Sequence, residues 1–545
     1  MGKQRPKQNG NGKSPRSTSR NNVNARDVKF RPKKQGMQSE VDGESFSNSE
    51  RGAAARVSRS NPISFYNKFD KFMTDAANIP FAAPLGRLFD MGPAKDVPKK
   101  WAAPGVMRLV FAPTIGVSSD FSSAINRSSI RFYTYLRSNQ KASATYDHQD
   151  ITMMMVALDS AYMYHALMTK VYSVINLFTP ANEYYSRTVV AACGFDFDDI
   201  RAHLQNFRSY INAFAYSLGQ YALPKDLALF DRHRWMCEGL YVDSESTRAQ
   251  TYLFVPQYFY KYDNTVTTGS QCVATEWISP DSSTNTIYTY EQARQFGEAI
   301  LNAISNEEDF AVISGDLYNF YGGDTYKLPF IDEQYSVLPV YDRTVLSQIE
   351  NAEIVGVLGN TTVSQNPTVN NGAIIFQPTL SVSGNQWIDD RIYMNFHWDS
   401  PTPEQVVEAS RLIPVIDGST SDEYKIVECG TEIVEWVEMY TRNPETGKFR
   451  AIRLMSSEVL LALDGSDIGT NLSTAITDTL MLAQFKQAPK LGVWLQPGAS
   501  EPWDKIVYSG LTWDVDNMEF VPDQYMMNIH LACLLSLFTV APNRE

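Results

Sequence analysis

Eleven lysine and arginine residues lie within the first 34 positions of the sequence, and Asp27 is the single acid among them. Cationic side chains spaced by Asn, Ser, Gln and Gly neutralise phosphates and release counterions, which gives salt-sensitive binding without base specificity. A nuclear-localisation signal, an anionic-membrane contact and a solubility tail are alternative interpretations of these charges. The residues predicted to contact nucleic acid are Lys3, Arg5, Lys7, Lys13, Arg16, Arg20, Arg26, Lys29, Arg31, Lys33 and Lys34.

The rest of the chain has the opposite charge. Residues 1–60 hold 14 basic and 5 acidic residues, a net charge of +9, whereas residues 61–545 hold 34 basic and 56 acidic residues, a net charge of −22. The basic segment has too few apolar residues to offset its chain entropy, so we expect a disordered arm. An acidic body repels polyanions, so RNA would be held by the arm and not by the folded surface.

Residues that could support catalysis or metal binding do not converge. No HExxH, GxGxxG, Walker or GxSxG pattern occurs. The carboxylates of FDFDD fit a helix N-terminus, and those of WIDDR fit a solvated turn. Gly322-Gly323-Asp324 is followed by Thr325 and lacks the paired aspartates of a polymerase, so it predicts a loop turn. We therefore expect no enzyme activity, metal, cofactor or small-molecule substrate.

The five cysteines are far apart and form no CxxC pair, which indicates buried free thiols in a reducing cytosol. The N-terminus lacks the apolar core of a secretory signal. The most apolar stretch, residues 151–178, contains Asp159, His165 and Lys170, and so predicts a core helix and no stable membrane insertion.

Two long helices are the clearest elements. The run from 151 to 178 is apolar on most faces and predicts a buried helix. A second helix is predicted to carry Asp196, Asp198 and Asp199 in its first turn and to end at Pro224, and a shorter one is predicted near residues 65–73 in an irregular, proline-rich strap. Apolar residues of the second helix recur at steps of three and four, at Ile200, Leu204, Phe207, Ile211, Phe214, Leu218 and Tyr221.

From about residue 246 the pattern changes to short strands. TYLFVPQYFYKY, EIVGVLG, AIIFQPTLSVSG and EIVEWVEMYTR are predicted strands, and NPETGK is a predicted hairpin turn. Helices are predicted near 291–304 and 474–485, and at the C-terminal MMNIHLACLLSLF. Because that last run is apolar, we expect it to pack back on the helical region, which makes the mixed region an insertion.

Six short pieces carry a family likeness: PTIG, SAIN, YDHQD, FRSYIN, RHRWM and YVDSES. With the sequence around them, over residues 101–263, they resemble picobirnavirus capsid proteins. All six are packing and turn signatures. The basic N-terminus resembles the family in kind, and residues 264–515 correspond by their place in the chain.

The resemblance implies an α+β protein with a predominantly helical shell domain, an inserted mixed α/β protruding domain and a preceding disordered basic arm. The expected limits are 1–60 for the arm, 61–245 for the shell domain, 246–514 for the protruding domain and 515–545 for a segment returning to the shell. It implies homodimers, joined through apolar and aromatic surface of 101–245, that assemble in the host cytoplasm.

The assembled virion would be an icosahedral shell whose arms contact packaged double-stranded viral RNA. A cytosolic RNA-binding scaffold protein with a disordered basic tail is the alternative. The two differ in assembly, because a scaffold protein would remain a monomer or a small oligomer.

Overall fold

The structure is a computed structural model. It describes residues 60–79, 85–86, 88–90, 100–102, 105–138, 146–178, 183–246, 248–265, 269–281, 287–366, 370–380, 390–418, 424–442, 449–464, 472–498 and 505–540. The chain divides into two compact units, residues 1–80 and 81–545.

The described residues form an α+β fold with thirteen α-helices and twenty β-strands. The helices are α1 Asp70–Ala76, α2 Ala124–Ser138, α3 His148–Asn176, α4 Glu183–Ala192, α5 Phe197–Ala202, α6 Leu204–Leu218, α7 Ala228–Glu238, α8 Tyr290–Ser305, α9 Glu308–Tyr321, α10 Arg343–Glu350, α11 Pro403–Ala409, α12 Leu472–Leu482 and α13 Asp523–Leu537. Apart from α1, all of them lie in the second unit.

The strands are β1 Leu88–Asp90, β2 Lys100–Ala102, β3 Val106–Pro113, β4 Tyr241–Val242, β5 Thr251–Pro256, β6 Tyr258–Asp263, β7 Gln271–Glu276, β8 Leu358–Gly359, β9 Val363–Gln365, β10 Ile374–Ile375, β11 Thr379–Leu380, β12 Ile392–Phe396, β13 Val415–Asp417, β14 Lys425–Glu428, β15 Glu432–Arg442, β16 Phe449–Leu454, β17 Glu458–Ala462, β18 Leu491–Gln496, β19 Val507–Thr512 and β20 Asn517–Val521. The largest sheet has the order β16-β15-β3-β5-β4.

Strand β3 occupies the centre of that sheet. All eight of its residues are buried, it pairs in parallel with β5, and it pairs antiparallel with β15. The continuous apolar run VMRLVFAP fits a strand covered on both faces. Strands distant in sequence therefore share one core.

Helix α3 runs through the core, as its apolar pattern predicts. It is buried along nearly its whole length and packs against α7, α6, α2 and β6. Its start is fixed by a local bond, because the backbone N–H of Asp147 donates to the Asp150 carboxylate at 2.8 Å. The YDHQD piece thus works as a helix entry.

The single helix predicted from Asp196 to Pro224 is wrong in one respect, because it is two helices, α5 and α6. The break is at His203, which leaves the helical conformation with φ −109° and ψ 21°. The three-and-four spacing continues across the break, so the pattern does not reveal it. The predicted helix capping by the FDFDD carboxylates is confirmed, and the capping residue is Asp196, whose side chain accepts from the Asp199 N–H at 2.9 Å.

Several strand predictions also change. EIVEWVEMYTR is confirmed as β15, whereas TYLFVPQYFYKY is split at Gln257 into β5 and β6. In EIVGVLG, the final leucine and glycine alone are β-strand. Gly356 there has φ +80°, which no regular strand accommodates. AIIFQPTLSVSG contains β10 and β11, and its residues from 381 onward lie outside the described residues, as do the NPETGK turn and most of WIDDR.

The remaining helices agree in position with small shifts. The predicted helices at 65–73, 291–304, 474–485 and the C-terminus correspond to α1, α8, α12 and α13. Gly322-Gly323-Asp324 is a turn at the end of α9, where Gly322 has φ +58°. Helix α13 packs against α2 and α7, so the apolar C-terminal run does cover helices from early in the chain.

Candidate assembly surfaces

The eleven cationic residues predicted to contact nucleic acid all lie before residue 60, outside the described residues. Their role stays a prediction. The described part of the chain has no group of three or more His, Cys, Asp or Glu side chains arranged to hold a metal ion. Four of the cysteines are buried free thiols, and Cys533 is partly exposed.

The described part of the first unit, residues 60–79, exposes several large apolar side chains. It contains a 3₁₀ turn and α1, and α1 buries none of its residues. A seven-residue helix gains too little from its own hydrogen bonds to be stable in water. The exposed apolar side chains of residues 63–79 are suited to contact with a protein partner. They are Ile63, Phe65, Tyr66, Phe69, Phe72 and Ile79, each at least 60% exposed.

The second unit has two further groups of exposed apolar residues. One lies on β19, β20 and the start of α13, at Val507, Tyr508, Val515, Met518, Phe520 and Tyr525. The other lies on α6 and between α9 and α10, at Tyr216, Phe330, Leu338, Val340 and Tyr341. These groups are candidate contact surfaces, whereas single exposed apolar residues are ordinary.

These positions differ from the sequence expectation for contact residues in 101–245. Among the described residues of that region, the large apolar side chains that are exposed are Ile130 on α2 and Tyr216 on α6. Most of its aromatic residues are core, because α3 is surrounded by its own subunit. Composition reveals an aromatic excess but does not tell which aromatic side chains face outward.

A buried carboxylate links the strands of the central sheet. Glu438 on β15 forms ion pairs with Arg108 on β3 and Arg453 on β16. It also accepts hydrogen bonds from the Trp436 indole at 3.1 Å and the Tyr440 hydroxyl at 3.0 Å. Burial alone would raise the pKa of Glu438, but the two guanidinium groups outweigh it and lower that pKa. The carboxylate joins three adjacent strands.

A second buried cluster joins the helices to the sheet. His233 on α7 contacts Asp159 on α3 at 2.6 Å and Glu432 on β15 at 3.5 Å, and Arg232 binds Glu432 at 3.0 Å. Burial opposes a charge on His233, but the two carboxylates outweigh it and raise its pKa to about 10. The two carboxylates therefore favour the imidazolium form of His233 at neutral pH, while burial raises the pKa of Asp159. A base that keeps its proton is suited to structure and not to proton transfer.

Adjacent carboxylates of FDFDD are also structural. Asp196 caps α5, and Asp198 pairs with Arg187 at 2.7 Å. The third carboxylate, that of Asp199, accepts from the Tyr290 N–H at 2.6 Å. None of these oxygens is part of a shared binding site. Over the described ranges, no helix is long and apolar enough to cross a membrane.

Comparison with known proteins gives one consistent result. A family model described as picobirnavirus capsid protein matches residues 65–488. A capsid protein precursor of human picobirnavirus (strain Human/Thailand/Hy005102/-) is 29% identical over 526 residues, which cover 90% of this chain and 92% of that protein. The X-ray structure of the picobirnavirus capsid superposes with a TM-score of 0.75 at 20% identity, over 88% of this chain and 98% of that one. The structural match shows the shared α+β fold.

Proposed function

From the membership of this chain in the picobirnavirus capsid protein family, which makes it a structural protein of a double-stranded RNA virus, we propose that its copies pair as homodimers and assemble into an icosahedral shell. Assembly takes place in the host cytoplasm. The family match over residues 65–488 is the observation that carries this proposal. It also disfavours a cellular RNA-binding scaffold, because the match covers most of the acidic body and not merely a basic tail.

Within the shell we assign separate roles to parts of the chain. Residues 61–245 and 515–545 form the shell domain, and residues 246–514 form the protruding domain. The packing of α13 on α2 and α7 supports the return of the C-terminus to the shell domain. The exposed apolar residues of 63–79 pack against a neighbouring copy, which would supply the burial that α1 lacks in a single chain.

The basic arm, residues 1–60, contacts packaged RNA. Its net charge of +9 against the −22 of the remaining chain supports this division. Because each phosphate neutralised releases counterions, RNA retention should fall steeply with salt concentration. The protein has no enzymatic role in this proposal and uses no cofactor.

A pair of arm variants tests the RNA assignment. One variant lacks residues 1–39, and the other keeps the full length with the eleven Lys and Arg residues of 3–34 replaced by Gln. Both should still form particles, and both should lose most nuclease-protected RNA, measured by the 260/280 nm absorbance ratio of purified particles. Wild-type RNA content in the full-length Gln variant would show that charge in the arm does not hold the RNA.

A further inference from the structure

The segment between α9 and α10, residues 327–343, presents apolar side chains outward from a fixed backbone. Phe330 is 64% exposed, Leu338 68%, Val340 51% and Tyr341 51%, whereas Ile331 is 5% exposed. The segment is irregular, with a turn at residues 333–334 and a single β-bridge at Val340, so the exposure of each side chain is set residue by residue. The buried side chains pack against the rest of the subunit. The exposed ones are not covered by any other part of the described chain.

Helix α6 holds the first half of this segment. The guanidinium of Arg208 pairs with Glu333 at 3.0 Å. Four residues along, the Asn212 side chain accepts from the Ile331 N–H at 2.9 Å and donates to the Ile331 carbonyl at 3.1 Å. Residues four apart lie on one helix face, so the segment runs antiparallel to α6 along that face. The next α6 residue on it is Tyr216, which is 67% exposed.

Helix α3 and strand β4 hold the second half. The Asn176 side chain, at the end of α3, donates to the carbonyls of Glu333 and Tyr335 at 3.1 and 3.0 Å. Further along, the Val340 N–H donates at 3.0 Å to the carbonyl of Leu240, the residue before β4. The Val340 carbonyl in turn accepts from the N–H of Val242 in β4 at 3.0 Å. Backbone anchored on α6, α3 and β4 presents its outer side chains with little ordering entropy left to lose on binding.

We propose that the outer row, defined as Tyr216, Phe330, Leu338, Val340 and Tyr341, is a contact between two copies of this chain. The inference rests on the proposed function, because a shell subunit must bury apolar surface against its neighbours. Side chains of this size, about half to two-thirds exposed, offer on the order of 500 Å². A stable interface needs roughly 800 Å² per partner, so the row supplies much of an interface core.

The charges near the row favour a protein partner over RNA or an anionic membrane. Arg208 neutralises Glu333, and the exposed Asp332 is balanced by Lys327 and Arg343, so the row has no excess of basic charge to attract RNA or an anionic membrane. A second copy offers a complementary surface on α2, where Arg127, Ile130 and Arg131 are exposed and no acidic residue is present. Apolar contact flanked by opposite charges is the usual composition of a subunit interface.

Two double substitutions that introduce negative charge test the inference. F330E/L338E changes two exposed side chains of the row, and I476E/L480E makes the same change on exposed residues of α12, 50% and 61% exposed, as the matched control. Circular dichroism should show all proteins folded. We expect F330E/L338E to lower particle yield at least tenfold, measured by analytical ultracentrifugation, while the control assembles like the wild type.

The outcomes separate this inference from the proposed function. Wild-type yield in F330E/L338E overturns the inference alone. Equal loss in both double variants also overturns it, because the effect would not be specific to the row. Normal assembly together with lost binding to phosphatidylcholine vesicles would assign the row to a membrane and overturn it as well. Failure of the wild type to assemble at any salt concentration contradicts the proposed function instead.

Discussion

Arg232 on α7 donates a hydrogen bond to the carboxylate of Glu432 on β15 at 3.0 Å, joining residues 200 positions apart. Beside it, His233 lies between Glu432 and Asp159 of α3. The cluster fixes the long central helix, α7 and the central sheet to one another. Burial of four charged groups is tolerated because cations and carboxylates are paired within it.

Replacing His233 tests the contribution of this cluster. H233A removes the cation between two buried carboxylates, and we expect it to lower the free energy of unfolding by about 3–5 kcal/mol. Guanidinium unfolding of dissociated subunits measures the change. H203A is the control, because the His203 side chain is 45% exposed and pairs with Asp199 at the surface. Equal stability of H233A and the wild type would contradict a stabilising role for the cluster.

A substitution at Gly116, in the PTIG turn, tests how closely the C-terminal helix α13 packs against that turn. The Gly116 φ of +75° favours glycine, and a Cβ at this position would collide with the Leu534 side chain on α13. G116A should therefore lower the free energy of unfolding by about 3 kcal/mol, from backbone strain and overpacking together.

The matched substitution G315A lies in α9, where an added methyl group would meet no atom within 4 Å, and there we expect a gain of about 0.5–1 kcal/mol. Thermal unfolding of the two variants side by side measures both effects. A neutral G116A would show that the turn does not need glycine.

The buried carboxyl of Glu435 predicts the direction in which the free energy of unfolding changes with pH. Glu435 is the extra residue of a bulge where β15 pairs with β3, and its carboxyl accepts from the Leu358 N–H at 2.8 Å. Burial raises its pKa to about 8, against 4.5 for an ordinary glutamate. Between these values the folded state holds a proton that the unfolded state has lost, so the free energy of unfolding falls as pH rises.

E435Q should remove this fall in the free energy of unfolding, which is on the order of 4 kcal/mol between pH 4.5 and 8. Unfolding midpoints measured at several pH values should be flatter for E435Q than for the wild type. The control E519Q alters an exposed carboxylate on β20 and should keep the wild-type slope. A wild-type slope in E435Q would show that Glu435 is ionised in the fold at neutral pH.

Local pattern predicts the elements whose burial is uniform. The predictions of helix α3 and strand β15 agree with the structure. A long apolar run predicts one kind of element, a buried helix, and a strand pattern bounded by turn residues predicts a strand. The strand prediction for EIVGVLG is wrong because the backbone of this piece forms hydrogen bonds with residues distant in sequence. There Val355 and Gly356 donate to the carbonyls of Val434 and Glu435, beside the bulge in β15. Such pairing depends on residues about 80 positions away.

Local pattern does not predict which apolar residues are exposed. Phe330 and Ile331 are adjacent apolar residues, yet one is exposed and the other is buried. Asn212 on α6 holds the backbone of Ile331 through both its N–H and its carbonyl. Exposure there depends on this contact with a helix more than 100 positions earlier in the chain.

Electron microscopy of the purified protein, expressed without other viral components, shows whether its copies assemble on their own. We expect closed, hollow isometric particles that contain nuclease-protected RNA. Monomers or small oligomers at every ionic strength, with no closed particles, would contradict this expectation.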